Sequence, residues 1–178
     1  MTKRQVIFAL DPGSVNIGGA IIINGEPKKL FSVKGIPSRV KGNKGSFNGD
    51  MDILIQTIIP QFEEIIAENK VTHVVWETPP GFGGMNQREL VQAVCTTLKV
   101  ITFQKKLPYN HLTPNYWHDQ LLGRSKNVSK QEVREELLTR HPKLQQFISL
   151  PPDPFDAAAI GIIAHKVEHW KAIKELDI

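Results

Sequence analysis

Four carboxylates stand at the borders of apolar runs. Asp11 closes VIFALD, Glu77 closes VTHVVWE, and Asp153 and Asp156 open PPDPFDAAAIGIIA. An acid carried on a buried strand needs a cation, a hydrogen-bond donor or a chemical task, because burying it unpaired is costly. Residues three apart on a helix share a face, so Asp153 and Asp156 project together. Strand ends and a helix start can meet at one edge of a sheet. Carboxylates gathered there repel one another unless a cation neutralises them. Hard divalent ions with oxygen ligands suit such a cluster, Mg²⁺ above all. Two such ions, about 3.5–4 Å apart, suit hydrolysis of a phosphodiester. Plainer uses compete at each position. Asp153-Pro154-Phe155-Asp156 is also a good helix start, with Asp as N-cap and Pro at the first position. Asp11 before Pro12-Gly13 could serve only the turn, and Glu77 could pair with a basic residue.

The elements that position these acids are legible from periodicity. Residues 5–11 and 17–24 read as two strands of a hairpin bent at PGSVN, and residues 29–34 as a third strand. The Gly- and Lys-rich stretch 35–50 reads as a flexible loop. Apolar residues at 51, 54, 55, 58, 62, 65 and 66 have helical spacing, with Pro60 expected to kink or split that helix. Residues 71–77 form a short strand, and 88–101 a helix with Leu90, Val91, Val94 and Leu98 on one face. Residues 109–113 suit a further strand. Ser129 with Glu132 makes a capping box that opens a helix through Leu138, stopped by Pro142. The last helix is expected from Asp153 to about Leu176. The order implies one mixed α/β domain over residues 1–178, with helices packed on a sheet.

Composition narrows the function classes. A chain of 178 residues, 40% hydrophobic and 22% charged, is ordinary for a globular protein. No run of 18 apolar residues occurs, so no membrane helix is expected. Asp11-Pro12-Gly13 interrupts the apolar start too early for a signal peptide. The single Cys95 excludes an internal disulfide, fits a reducing cytoplasm and reads as a small core residue. A net charge of +4 hints at a polyanionic partner. The cations cluster. Residues 34–50 hold Lys34, Arg39, Lys41 and Lys44, and residues 124–134 hold Arg124, Lys126, Lys130 and Arg134. His165 and His169 have zinc-compatible helical spacing without further ligands nearby. Trp76, Trp117 and Trp170 read as core or interface aromatics.

Four segments resemble the motifs of the RuvC Holliday junction resolvases, in the family's order and across nearly the whole chain. They are LDPGSVNIGGAII, VVWETPPGFGGMNQRELVQAV, LTPNYWHDQLLGRSKNVSKQEVREELL and DPFDAAAIGIIAH. The resemblance implies an RNase H-like fold and a homodimer that nicks two opposed strands of a four-way DNA junction with Mg²⁺, for which Mn²⁺ could substitute. Two ions would be bound per site by Asp11, Glu77, Asp153 and Asp156. Lys130 matches a lysine expected near the scissile phosphate. Phe82 is the candidate for the aromatic that meets junction bases. Arg39, Lys41, Lys44, Arg88, Arg124 and Lys126, with Lys130, would hold DNA phosphates without reading sequence. The Pro- and Gly-rich loop after Glu77 and the basic 35–50 loop depart from the cellular enzymes. A short chain with such a loop suits a phage-type member or a relaxed enzyme that debranches three-way junctions, forks and flaps.

Two other classes remain open. An actin- or sugar-kinase-type phosphotransferase also places an Asp before a Gly-bearing turn between strands, but needs two such domains. A junction-binding protein without catalysis would not require all four acids.

Overall fold

Strict alternation in the first strand assigns its two faces. The computed structural model describes residues 4–35, 47–79, 85–167 and 170. In β1 (Val6–Asp11), Val6, Phe8 and Leu10 enter one hydrophobic cluster, and Ile7 and Ala9 enter another on the opposite face. This is the period of two that pleating imposes. β2 (Asn16–Ile23) and β3 (Glu26–Lys34) follow as an antiparallel meander. β4 (His73–Glu77) and β5 (Tyr109–Leu112) add in parallel on the other side of β1, giving the order β3-β2-β1-β4-β5. β1 is therefore central, and its C-terminal end lies beside that of β4.

α1 (Phe47–Asn69) and α2 (Met85–Gln104) cover the Phe8 face, with Leu54, Ile58, Phe62, Val94 and Leu98 in its core. α5 (Asp153–His165) covers the Ile7 face and is buried from Pro154 to Ala164. A helix apolar all round belongs in a core. Gly161 lets it lie close to the sheet: a Cβ there would sit 2.5 Å from Ile22 Cγ1 and 2.8 Å from the Ala9 Cβ. α3 (Pro114–Leu122) and α4 (Lys130–Arg140), with a 3₁₀ turn at Pro142–Phe147, complete that layer through Trp117, Leu121, Val133, Leu137 and Leu144. No described helix is long and apolar enough to cross a membrane.

Five sequence expectations require correction. Pro60 does not split α1, which runs through it. Pro60 and Gln56 are exposed, so water can solvate the carbonyl that Pro60 leaves without a donor. α1 begins at Phe47, within the expected loop, because Asn48 and Gly49 are poor helix formers that hide its first turn. β3 starts at Glu26, before Pro27. It is an edge strand, where proline is tolerated, and the register shifts between Ile21 and Ile22 opposite Pro27. Periodicity assigns no element to residues 114–122, yet α3 is a capped helix. Thr113 accepts from the Tyr116 N–H, Pro114 follows, and Gly123 closes the helix at φ 69°. α5 ends at His165 rather than near Leu176. Trp170 packs against His73, ring centroids 4.7 Å apart.

Candidate active site

Parity brings the strand acids to one face. Asp11 follows Ile7 and Ala9 in alternation, and Glu77 follows Val75, so both belong to the α5 side of the sheet. Leu10 pairs with Trp76, so Asp11 and Glu77 finish adjacent parallel strands. Gly18 lies opposite Asp11 in β2. A Cβ at Gly18 would stand 2.2 Å from the Asp153 carbonyl oxygen, so only glycine lets the start of α5 rest there. That contact delivers Asp153 and Asp156 to Asp11. One carboxylate oxygen from each of Asp11, Asp153 and Asp156 lies within 4.8 Å of the others.

Asp153 does not serve as a cap. The N-cap residue is Pro152, and no side-chain cap bond forms. The Asp153 carboxylate instead meets Lys130, Oδ1 to Nζ 2.5 Å. The same ammonium lies 3.3 Å from Asp11 Oδ2 and 2.9 Å from Asp156 Oδ2. Lys130 is the first residue of α4, and the expected capping box fixes that start. The Ser129 N–H donates to Glu132 Oε2 at 2.9 Å, and the Glu132 N–H to Ser129 Oγ at 3.3 Å. Arg124 also pairs with Glu132, so its guanidinium braces the box.

Glu77 stands outside this ion-paired group and has its own partner. Trp117 Nε1 donates to Glu77 Oε2 at 2.7 Å. Trp117, expected as a core aromatic, is 2% exposed. Sequence offered one signal for the contact: Trp117 lies four residues after Thr113 in a Thr-Pro helix start, on the apolar stripe it shares with Leu121.

Burial and crowding determine the charge state. Burial raises Glu77 to about 7, helped by Asp11 and Asp156 and opposed by the Trp117 bond. Burial raises Asp156 to about 7 as well, with Lys130 opposing and Asp11 adding repulsion. Asp11 is raised for the same primary reason. Burial opposes charge on Lys130, but its carboxylate neighbours outweigh that and raise its pKa. One ammonium facing three aspartates leaves the site electron-rich.

The residues fit a divalent cation. The donors that converge from Asp11, Asp153 and Asp156 are carboxylate oxygens, the hard ligands that Mg²⁺ and Mn²⁺ take. Asp156 Oδ1 is buried without a hydrogen-bond partner, a state that a cation would relieve. Asp11, Glu77 and Asp153 border an open cavity of ≈ 320 Å³ that Asn16, Gln87, Arg88 and Lys130 also line. Sequence reasoning placed Arg88 near DNA but missed Asn16 and Gln87. Lys126 is exposed, as is Arg124, in the segment before α4. Phe82, Arg39, Lys41, Lys44 and His169 lie outside the described residues. His165 bonds Gln5, Nδ1 to Oε1 2.5 Å, at the far end of α5. Cys95 is buried, as expected, and its thiol is pushed up to about 12 by desolvation.

A central parallel pair, an antiparallel meander beside it and a buried helix crossing the sheet define the ribonuclease H-like fold. Among solved structures, the chain is similar to Thermus thermophilus RuvC in complex with a Holliday junction substrate. The TM-score is 0.69 at 16% identity, over 89% of this chain and 91% of that one. A second Thermus thermophilus RuvC structure gives 0.65 at 16% identity, over 89% and 92%. The yeast mitochondrial Holliday junction resolvase Ydc2 gives 0.59 at 14% identity, over 90% and 76%. No protein-family model matches the sequence, and no curated protein matches it significantly. At these identities the likeness is one of fold.

Proposed function

We propose that this chain is a divalent-metal-dependent endonuclease that resolves four-way DNA junctions, and so serves DNA recombination and repair. The observation that carries the proposal is the convergence of Asp11, Asp153 and Asp156 within 4.8 Å, with Lys130 among them, on a fold shared with junction resolvases. Asp11, Glu77, Asp153 and Asp156 would hold the metal. Bound there, divalent ions supply the positive charge that activates water and offsets charge on a departing oxygen.

The chain's own residues account for the rest. Water attacks phosphorus in line and the 3′ oxygen leaves, giving 5′-phosphate and 3′-hydroxyl ends. The Lys130 ammonium, half-exposed beside the acids, adds positive charge where the phosphorane forms. Arg88, at the cavity's rim, and Lys126 and Arg124, on the turn before α4, hold flanking phosphates. Paired nicks need two such centres, so a homodimer is part of the proposal. On α2, Val94, Cys95 and Leu98 face the sheet, while Val100 and Phe103, 50% and 41% exposed, are left for a second copy.

The test is cleavage of labelled four-way, three-way and linear DNA with Mg²⁺, comparing native protein with Asp11→Asn. Symmetric nicks in the four-way junction, lost in the variant and resealed by ligase, support the proposal. Equal cutting of three-way junctions moves the assignment to a general debranching nuclease, and equal cutting of linear duplex overturns it.

A further inference from the structure

The geometry points to Trp117 as a positioning residue for Glu77, one that orients this carboxylate without neutralising it. The inference rests on reading Glu77 as a cation ligand. Lys130 pairs with the three aspartates of the site, and Glu77 is held instead by the Trp117 indole N–H at 2.7 Å. Glutamate has one more rotatable bond than aspartate, so fixing its carboxylate costs more entropy. The indole bond occupies Oε2 and leaves Oε1 for the cavity that Glu77 lines. A lysine or arginine in this place would compete with a metal ion for the same charge. A neutral donor fixes direction and leaves the charge available.

The holder is itself rigid. Trp117 is buried in the α5-side core with Leu121. α3 is capped at Thr113 and closed at Gly123. Arg140 Nη2 donates to the Leu121 carbonyl at 2.6 Å, tying α3 to α4. The same short segment also holds the backbone beside the acid: the Thr78 N–H donates to the Leu112 carbonyl at 2.8 Å. Residues 112–117 thus clamp the end of β4 through both main chain and side chain.

Packing and positioning separate if the N–H is removed at constant volume. Replacing Trp117 by 3-benzothienylalanine, with sulfur in place of N–H, does this. Melting in chelator should stay within a few degrees of the native protein. Mn²⁺ affinity by calorimetry should fall about tenfold, the lower range for loss of a group that orients a ligand. Junction kcat should fall with KM for DNA unchanged. Native Mn²⁺ affinity in the analogue, together with weakened binding in Glu77→Gln, overturns the inference alone. Native affinity in Glu77→Gln overturns Glu77 as a ligand and the inference with it.

Discussion

Asp156→Asn should stabilise the metal-free protein while abolishing its activity. The Asp156 side chain is 6% exposed, and desolvation with Asp11 repulsion raises its pKa from 3.8 to about 7. A folded-state value above the unfolded one means that ionisation favours the unfolded chain. Stability is therefore full below the unfolded pKa and is lost as pH rises through about 7. At ~1.4 kcal/mol per pH unit, the rise costs about 4 kcal/mol at pH 8 and about 2 kcal/mol at pH 5. Asparagine has nearly the same shape, carries no charge and keeps an oxygen for Lys130. Asp11 and Glu77 share the relief, so a gain of about 2–4 kcal/mol at pH 8 is expected, shrinking towards pH 5. Urea denaturation in chelator at both pH values measures it as a shift in midpoint at constant slope. An Asn variant no more stable than native at pH 8 would refute the claim that this carboxylate is held against its burial cost.

The remaining expectations use the same geometry. Lys130→Met should lower junction kcat by about 10²–10³-fold, the scale for one lost charge-stabilising donor, while Mn²⁺ affinity holds or tightens because a competing ammonium is gone; loss of Mn²⁺ binding would contradict this. Glu77 and Asp156 are both raised to about 7, and protons compete with the metal for them. Apparent Mn²⁺ affinity by calorimetry should therefore rise from pH 6 to 8 and flatten above, with protons released on binding. Gly18→Ala places a Cβ 2.2 Å from the Asp153 carbonyl oxygen. It should cost about 1–3 kcal/mol in denaturant and lower cleavage disproportionately, because Asp153 must move.

Much of this site was legible because strands and helix starts obey short-range rules. Alternation in VIFALD and VTHVVWE carries Asp11 and Glu77 to a common face once β1 and β4 are neighbours. The Ser129–Glu132 capping box places Lys130 at the first helical position. What stayed hidden depends on contacts distant in sequence. Asp153 looks like an N-cap by composition, yet its carboxylate turns to Lys130, because three aspartates in one place outbid a local hydrogen bond. The Trp117 bond to Glu77 spans 40 residues, and no local pattern encodes it. Pro27 obscured the start of β3 because its tolerance depends on the strand lying at the sheet's edge. The end of α5 at His165 has no local marker, because KVEHWKAIKEL has acceptable helix propensity, and the contact of Trp170 with His73 of β4 is distant in sequence.

The most direct measurement is anomalous scattering from crystals of the protein soaked in Mn²⁺. The account predicts manganese peaks bounded by the carboxylates of Asp11, Asp153 and Asp156, with Glu77 Oε1 turned to the same centre and Lys130 displaced from its three ion pairs. Manganese bound only elsewhere, with Lys130 still seated among the aspartates, would contradict it.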